Sequence, residues 1–157
     1  MSKKILVAWY SRTGVTRKVG QALASALGCD QEEILDRKDR SGPRGYMGAG
    51  KDATFKRLTE IEPVKKDPAQ YDLVIIGTPV WAFTMSAATR TYLAVYRERI
   101  RSAAFFCTQG GSGGRRAFRE MEAVCGKPPV AVLELRQDEV LNDRCAAALK
   151  KFADTVR

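Results

Sequence analysis

Ser11-Arg12-Thr13-Gly14-Val15-Thr16 decides how this chain is read. The stretch follows the apolar run Ile5-Leu6-Val7-Ala8-Trp9 and opens a segment in which Val15, Val19, Leu23 and Leu27 recur every four residues. It therefore sits where a strand turns into a helix. Hydroxyls and a glycine at such a turn make a cradle for phosphate. The glycine allows close backbone approach, the first helical turn offers unpaired N–H groups, and the aligned peptide dipoles favour an anion. A simple capped helix start uses the same residue types, so the hexapeptide alone leaves both readings open.

The 157 residues suit one domain, 1–157, with a single core. No apolar run approaches the roughly 18 residues a membrane span requires. Met1-Ser2-Lys3-Lys4 leads into an apolar run too short for a signal-peptide core, so a cytoplasmic protein is expected. Cys29, Cys107, Cys125 and Cys145 show no Cys-x-x-Cys pair and no metal-ligand spacing, which favours reduced structural thiols. Histidine is absent, which removes His-based triads, His-ligated metals and imidazole proton shuttles and shifts chemistry toward a bound cofactor. The net charge of +9 favours acidic partners. Lys and Arg are spread along the chain without a nucleic-acid recognition motif, so no nucleic acid is expected.

Short β-rich runs alternate with amphipathic segments, the pattern of βαβ units around a parallel sheet. Strands are predicted at Ile5 to Trp9, Gln31 to Leu35, Leu73 to Gly77, Ala103 to Cys107 and Val130 to Leu135. Helices follow from Val15, from Ala88-Tyr92-Val95, from Phe118-Met121-Cys125, and from Leu141-Cys145-Leu149-Phe152-Val156. The result is an α/β, doubly wound, five-stranded parallel sheet. The connection from Asp36 to Tyr71 is long and glycine-rich, with one short helical candidate at Lys51 to Leu58.

Ligands of such sheets bind outside the carboxyl ends of the strands, and three distinctive loops lie there. The first is the hydroxyl-rich turn. The second, Thr78-Pro79-Val80-Trp81-Ala82-Phe83, is expected to leave the central strand in a rigid Pro turn and to present two large aromatic rings outside the interior. The third, Thr108-Gln109-Gly110-Gly111-Ser112-Gly113-Gly114, exposes backbone groups to whatever approaches. Together they suit a flat heteroaromatic ring on a phosphorylated tail. Gly-x4-Gly-Lys-Ser/Thr and an early Gly-x-Gly-x-x-Gly are both absent. A Cys-x5-Arg phosphatase loop fails because the sixth residue after Cys107 is Gly113, leaving Cys107 a buried strand-end thiol.

Ser11-x-Thr13-Gly14-x-Thr16, Gly77-Thr78-Pro79-Val80-Trp81 and Cys107-Thr108-x-Gly110-Gly111-x-Gly113 resemble the three FMN-binding loops of the flavodoxin-like family, in order and spacing. The resemblance covers nearly the whole chain and implies strand order 2-1-3-4-5 with one noncovalent FMN. It implies a phosphate held by Ser11, Arg12, Thr13, Gly14, Val15 and Thr16. Thr78, Pro79, Val80 and Trp81, with Ala82 and Phe83 beside them, would meet the ribityl chain and one flavin face. Thr108, Gln109, Gly110, Gly111 and Gly113 would edge the pyrimidine end.

Departures from that pattern bear on chemistry. Many carriers of the family have a glycine just past the second-loop aromatic. Here Ala82 and Phe83 stand in that stretch, and a Cβ makes positive φ costly, so a bias toward two-electron chemistry is expected. Familiar flavodoxins are acidic, whereas +9 eases formation of an anionic reduced flavin and predicts a less negative final potential. The third loop lacks an aromatic, which leaves one flavin face open to substrate or to Tyr46 from the long connection. The implied function is electron transfer through FMN to an acidic redox partner protein or a quinone-like acceptor. The alternative is an NAD(P)H-dependent quinone reductase. No side chain presents itself as catalytic; Tyr10, Tyr46 and Lys51 qualify as proton donors only if folding brings them to the site.

Overall fold

Successive residues of the apolar central strands point alternately to two opposite layers. The computed structural model describes residues 3–54 and 56–157; Met1 and Ser2, the start of the run weighed as a leader, lie outside them. Six strands form one sheet: β1 (Ile5–Trp9), β2 (Asp30–Glu33), β3 (Leu73–Trp81), β4 (Thr84–Met85), β5 (Ala103–Gln109) and β6 (Val132–Arg136). Its order is β2-β1-β3-β5-β6, with β4 pairing β3 off this path. The five long-range strands are all parallel and run in the expected 2-1-3-4-5 order. The α-helices are α1 (Val15–Leu27), α2 (Gly42–Thr54), α3 (Ala87–Tyr96), α4 (Gly114–Cys125), α5 (Gln137–Leu141) and α6 (Ala146–Val156).

Successive strand residues point to opposite faces. Val7, Ile75, Ala104, Phe106 and Leu133 meet Val19 and Leu23 of α1 and Phe152 and Val156 of α6. Leu6, Val74, Ile76 and Phe105 meet Tyr92 and Leu93 of α3 and Phe118 and Met121 of α4. Because both faces are covered, β1, β3 and β5 read as continuous apolar runs. The edge strand β2 instead carries Asp30, Glu32 and Glu33.

Four expectations are corrected. Pro79 does not begin a turn: β3 continues to Trp81, and Pro79 still pairs with Thr108. β5 likewise runs two residues past Cys107, so the ends of both strands reach into the predicted loops. The helix of the long connection spans Gly42–Thr54 rather than Lys51 to Leu58, of which Phe55 lies outside the described residues. Four glycines give that helix poor intrinsic propensity, so tertiary bonds hold it. Arg40 binds Asp36 at 3.0 Å and Asp52 at 2.6 Å, and a bridge joins Asp36 to Ile61. Finally, the C-terminal amphipathic segment is two helices, broken at Asp143 (φ 54°), where Lys18 Nζ donates to Val140 O and Asp143 Oδ1.

Candidate functional site

One cleft opens at the carboxyl end of the sheet, lined by Arg12, Thr13, Val15, Thr16, Tyr46, Pro79, Val80, Trp81, Thr108, Gly110 and Gln137. It measures about 610 Å³ counting space open to solvent. Residues of all three predicted loops meet in it. Thr16 and Thr108 share a hydroxyl–hydroxyl hydrogen bond of 2.8 Å across its buried floor, tying the first loop to the third.

The first loop is shaped by Gly14 at φ 100°, a value an L side chain rarely adopts. Ser11 Oγ accepts from the Gly14 N–H at 3.0 Å, so this hydroxyl stabilises the loop from within. No side chain caps α1. Its first-turn amides therefore keep the open donors and positive dipole end expected of a helix start, with Thr13 and Thr16 beside them.

Trp81, expected outside the interior, is only 8% exposed and belongs to the core cluster, where Tyr10 meets its ring edge-on at 5.4 Å between centroids. The buried Arg40 guanidinium lies 5.6 Å from the same indole. Its Nη2 has no hydrogen-bond partner. The Arg40 carbonyl accepts from Arg12, whose guanidinium lies 5.4 Å from the Tyr46 ring. A buried charge cluster thus backs the aromatic wall of the cleft. Burial alone would raise the Asp52 carboxyl, but hydrogen bonds from Arg40 and Lys38 overcome it and hold the pKa below the usual value. Burial pushes Tyr10 up to about 12, with the charge of Asp36 adding to it, so Tyr10 stays protonated.

Ala82 and Phe83 stand outside the cleft lining and form the two-residue turn of a hairpin, with Trp81 opposite Thr84. Both adopt positive φ, 48° and 66°. That overturns the expectation that a Cβ keeps this stretch out of the left-handed region. Tight antiparallel hairpins require that region of both turn residues, and the pairing outweighs the local cost. Phe83 is 56% exposed, as expected of it.

In the third loop Gly110 lines the cleft, whereas Gln109, Gly111 and Gly113 do not. Gln109 is buried, and its Oε1 has no hydrogen-bond partner among the described residues. Gly113, at φ 104°, lets this loop press on the second: a Cβ there would meet Phe83 Cα at 2.9 Å and Val80 Cγ1 at 3.0 Å. Thr78 is buried behind the wall, where its Oγ1 accepts from the Ser86 N–H.

Cys107 is fully buried and pushed up to about 12 by burial, with Glu134 adding to it, so it remains a thiol. The four cysteines are free, and no metal-binding cluster occurs among the described residues. No helix among them is long and apolar enough to cross a membrane. Sequence reasoning missed Gln137 entirely, because it reaches the cleft from the start of α5 without any local motif. Tyr46 does line the cleft, and with 66% exposure it stands at the rim.

The sequence profile of the flavodoxin family matches residues 49–156. A flavoprotein from Lactobacillus acidophilus NCFM, solved in complex with FMN, is 22% identical with a TM-score of 0.75, covering 90% of this chain and 98% of that one. Oxidised flavodoxin 1 from Bacillus cereus is 17% identical with a TM-score of 0.58, covering 98% and 97%. The flavodoxin, WrbA-like protein from Agrobacterium tumefaciens is 12% identical with a TM-score of 0.57, covering 99% and 98%. No curated protein matches the chain.

Proposed function

The chain belongs to the flavodoxin family, and from that premise we propose that it is a redox protein holding one noncovalent FMN in the cleft and passing electrons through it. The convergence of the three loops, locked by the Thr16–Thr108 bond, carries this reading. FMN, when bound, supplies one- or two-electron redox chemistry. The residues present fit it. The uncapped start of α1 and the Thr13 hydroxyl would bind the phosphate, and Arg12 at the loop's edge adds a positive charge. Trp81 would shield one face of the ring from water, held in place by Tyr10 and Arg40. The backbone of Gly110 would contact the ring's pyrimidine edge.

Electron transfer to an acidic partner protein suits the +9 charge. A quinone reductase using NAD(P)H is favoured by a different observation: Gly110, Gly111 and Ser112 are exposed and present no aromatic cover, which leaves access for a small acceptor. A cytoplasmic setting agrees with four free thiols. Titrating apoprotein with FMN while following flavin fluorescence tests the cofactor. Saturable quenching at one FMN per chain is expected, and no binding overturns the reading. NADPH consumption with a quinone by the loaded protein alone would select the enzyme, and its absence the carrier.

A further inference from the structure

Two unusual features adjoin the cleft. The first is the Ala82-Phe83 turn, where two residues with side chains occupy the left-handed region, which a Cβ disfavours, and a large ring is held largely in solvent. Strain of this kind persists where the surroundings impose it. Here Arg90, itself buried, donates to Thr84 Oγ1 at 3.3 Å and reaches Glu120 of α4 at 3.7 Å, fastening the hairpin to that helix. Phe83 lies against Gly113, the residue that precedes α4.

The second feature is the charge on α4. Arg115, Arg116 and Arg119 are exposed, and none forms a salt bridge or side-chain hydrogen bond among the described residues. Arg115 and Arg116 occupy the helix's positive end, whose first turn has no acidic residue and whose N-cap offers no side-chain bond, and Arg119 stands one turn further on. Folding gains nothing from that placement, because cations there oppose the dipole. Of the nearby carboxylates, Glu120 is taken by Lys56 and Arg90 and also feels the charge of Arg116, Glu134 lies over Gly114, and Glu122 is exposed further along the helix, so among the described residues the face carries three cations against one free acid.

The geometry points to this face, Phe83 with Arg115, Arg116 and Arg119, as the docking surface for an acidic electron-transfer protein. It rests on the FMN reading above, since Val80 both lines the cleft and touches Gly113, so a partner seated here stands beside the cofactor. An exposed aromatic anchor on the same side as a row of arginines matches the composition of protein interfaces, and the excess of exposed positive charge selects a negative surface.

The test uses the full-length, FMN-loaded protein and an acidic [2Fe–2S] ferredoxin as probe, with affinity read by calorimetry and the contact mapped by amide chemical shifts. Binding that weakens as salt rises from about 0.02 to about 0.3 M is expected, with shifts centred on residues 82–84 and 113–119. The triple variant Arg115→Gln, Arg116→Gln, Arg119→Gln should bind at least about tenfold more weakly while its FMN affinity and circular dichroism stay unchanged. Lys150→Gln with Lys151→Gln, on α6 across the sheet, lowers net charge nearly as much and should leave binding intact. Equal loss in both variants, shifts centred elsewhere, or a preference for phosphatidylserine vesicles or duplex DNA over the ferredoxin would overturn the proposal. If the protein takes up no FMN, the functional reading fails, yet the same variants compared on apoprotein still report whether the face docks.

Discussion

Replacing Arg40 by Met removes a buried cation that joins Asp36, at the start of the long connection, and Asp52 of α2 to the aromatic wall. Asp36 and Arg40 side chains are each 2% exposed, and Asp52 is 10% exposed. Breaking a buried ion pair from one side costs about 3–5 kcal/mol, because the remaining charge keeps no adequate partner. The lower end applies here. Asp52 retains Lys38 at 3.3 Å and Arg57 at 3.5 Å, and Asp36 keeps hydrogen bonds from the Lys38 amide and the Thr59 hydroxyl. Met preserves most of the apolar stem packing, so the loss is chiefly electrostatic. A destabilisation of about 3 kcal/mol at pH 7, with a urea slope of about 2 kcal/mol per molar, lowers the unfolding midpoint by about 1.5 M. Acid should narrow the gap. Asp52 is held below its unfolded pKa in the native protein, so its stabilisation is present above about pH 4 and fades as pH falls through the folded value. The variant has little of that stabilisation to lose, and protonation relieves its uncompensated charge. Urea melts at pH 7 and at about pH 2.5 decide the matter. A midpoint shift below about 0.5 M at pH 7, or a deficit that grows on acidification, would refute the account of Arg40 as a buried clamp.

Gly14→Ala forces a Cβ onto φ 100° and should cost about 1 kcal/mol in thermal unfolding. It should also weaken FMN binding at least about tenfold by turning the first-turn amides of α1 away, as equilibrium titration would read. Ala82→Gly removes left-handed strain and should raise stability by up to about 1 kcal/mol, whereas a lower melting temperature would contradict the strain assigned to the hairpin. Cys107, raised to about 12, should resist a thiol-specific disulfide reagent at pH 8 in the native protein and react fully in urea, with peptide mass analysis locating the label.

The apolar runs and their spacing already dictate a parallel sheet, since residues buried on both faces leave no polar alternation. The three loops were legible for a related reason: each sits next to a strand, and a local residue type signals its geometry, as glycine does at 14. Partnerships between distant residues leave no such mark. Nothing near Arg40 or Asp52 in the chain announces that they meet, and the four glycines of α2 argue locally against the helix their pairing sustains. The backbone at Ala82 and Phe83 was misjudged for the same cause, because local sterics oppose positive φ and only pairing with β4 imposes it. Gln137 and Tyr46 reach the cleft by long-range packing.

Sequence by itself thus determined the layered α/β order and the chemical character of three turns, because both follow from short-range periodicity and backbone preference. Tertiary structure alone decided that Trp81 is a buried wall backed by Arg40, because burial and charge pairing depend on groups far apart in the chain.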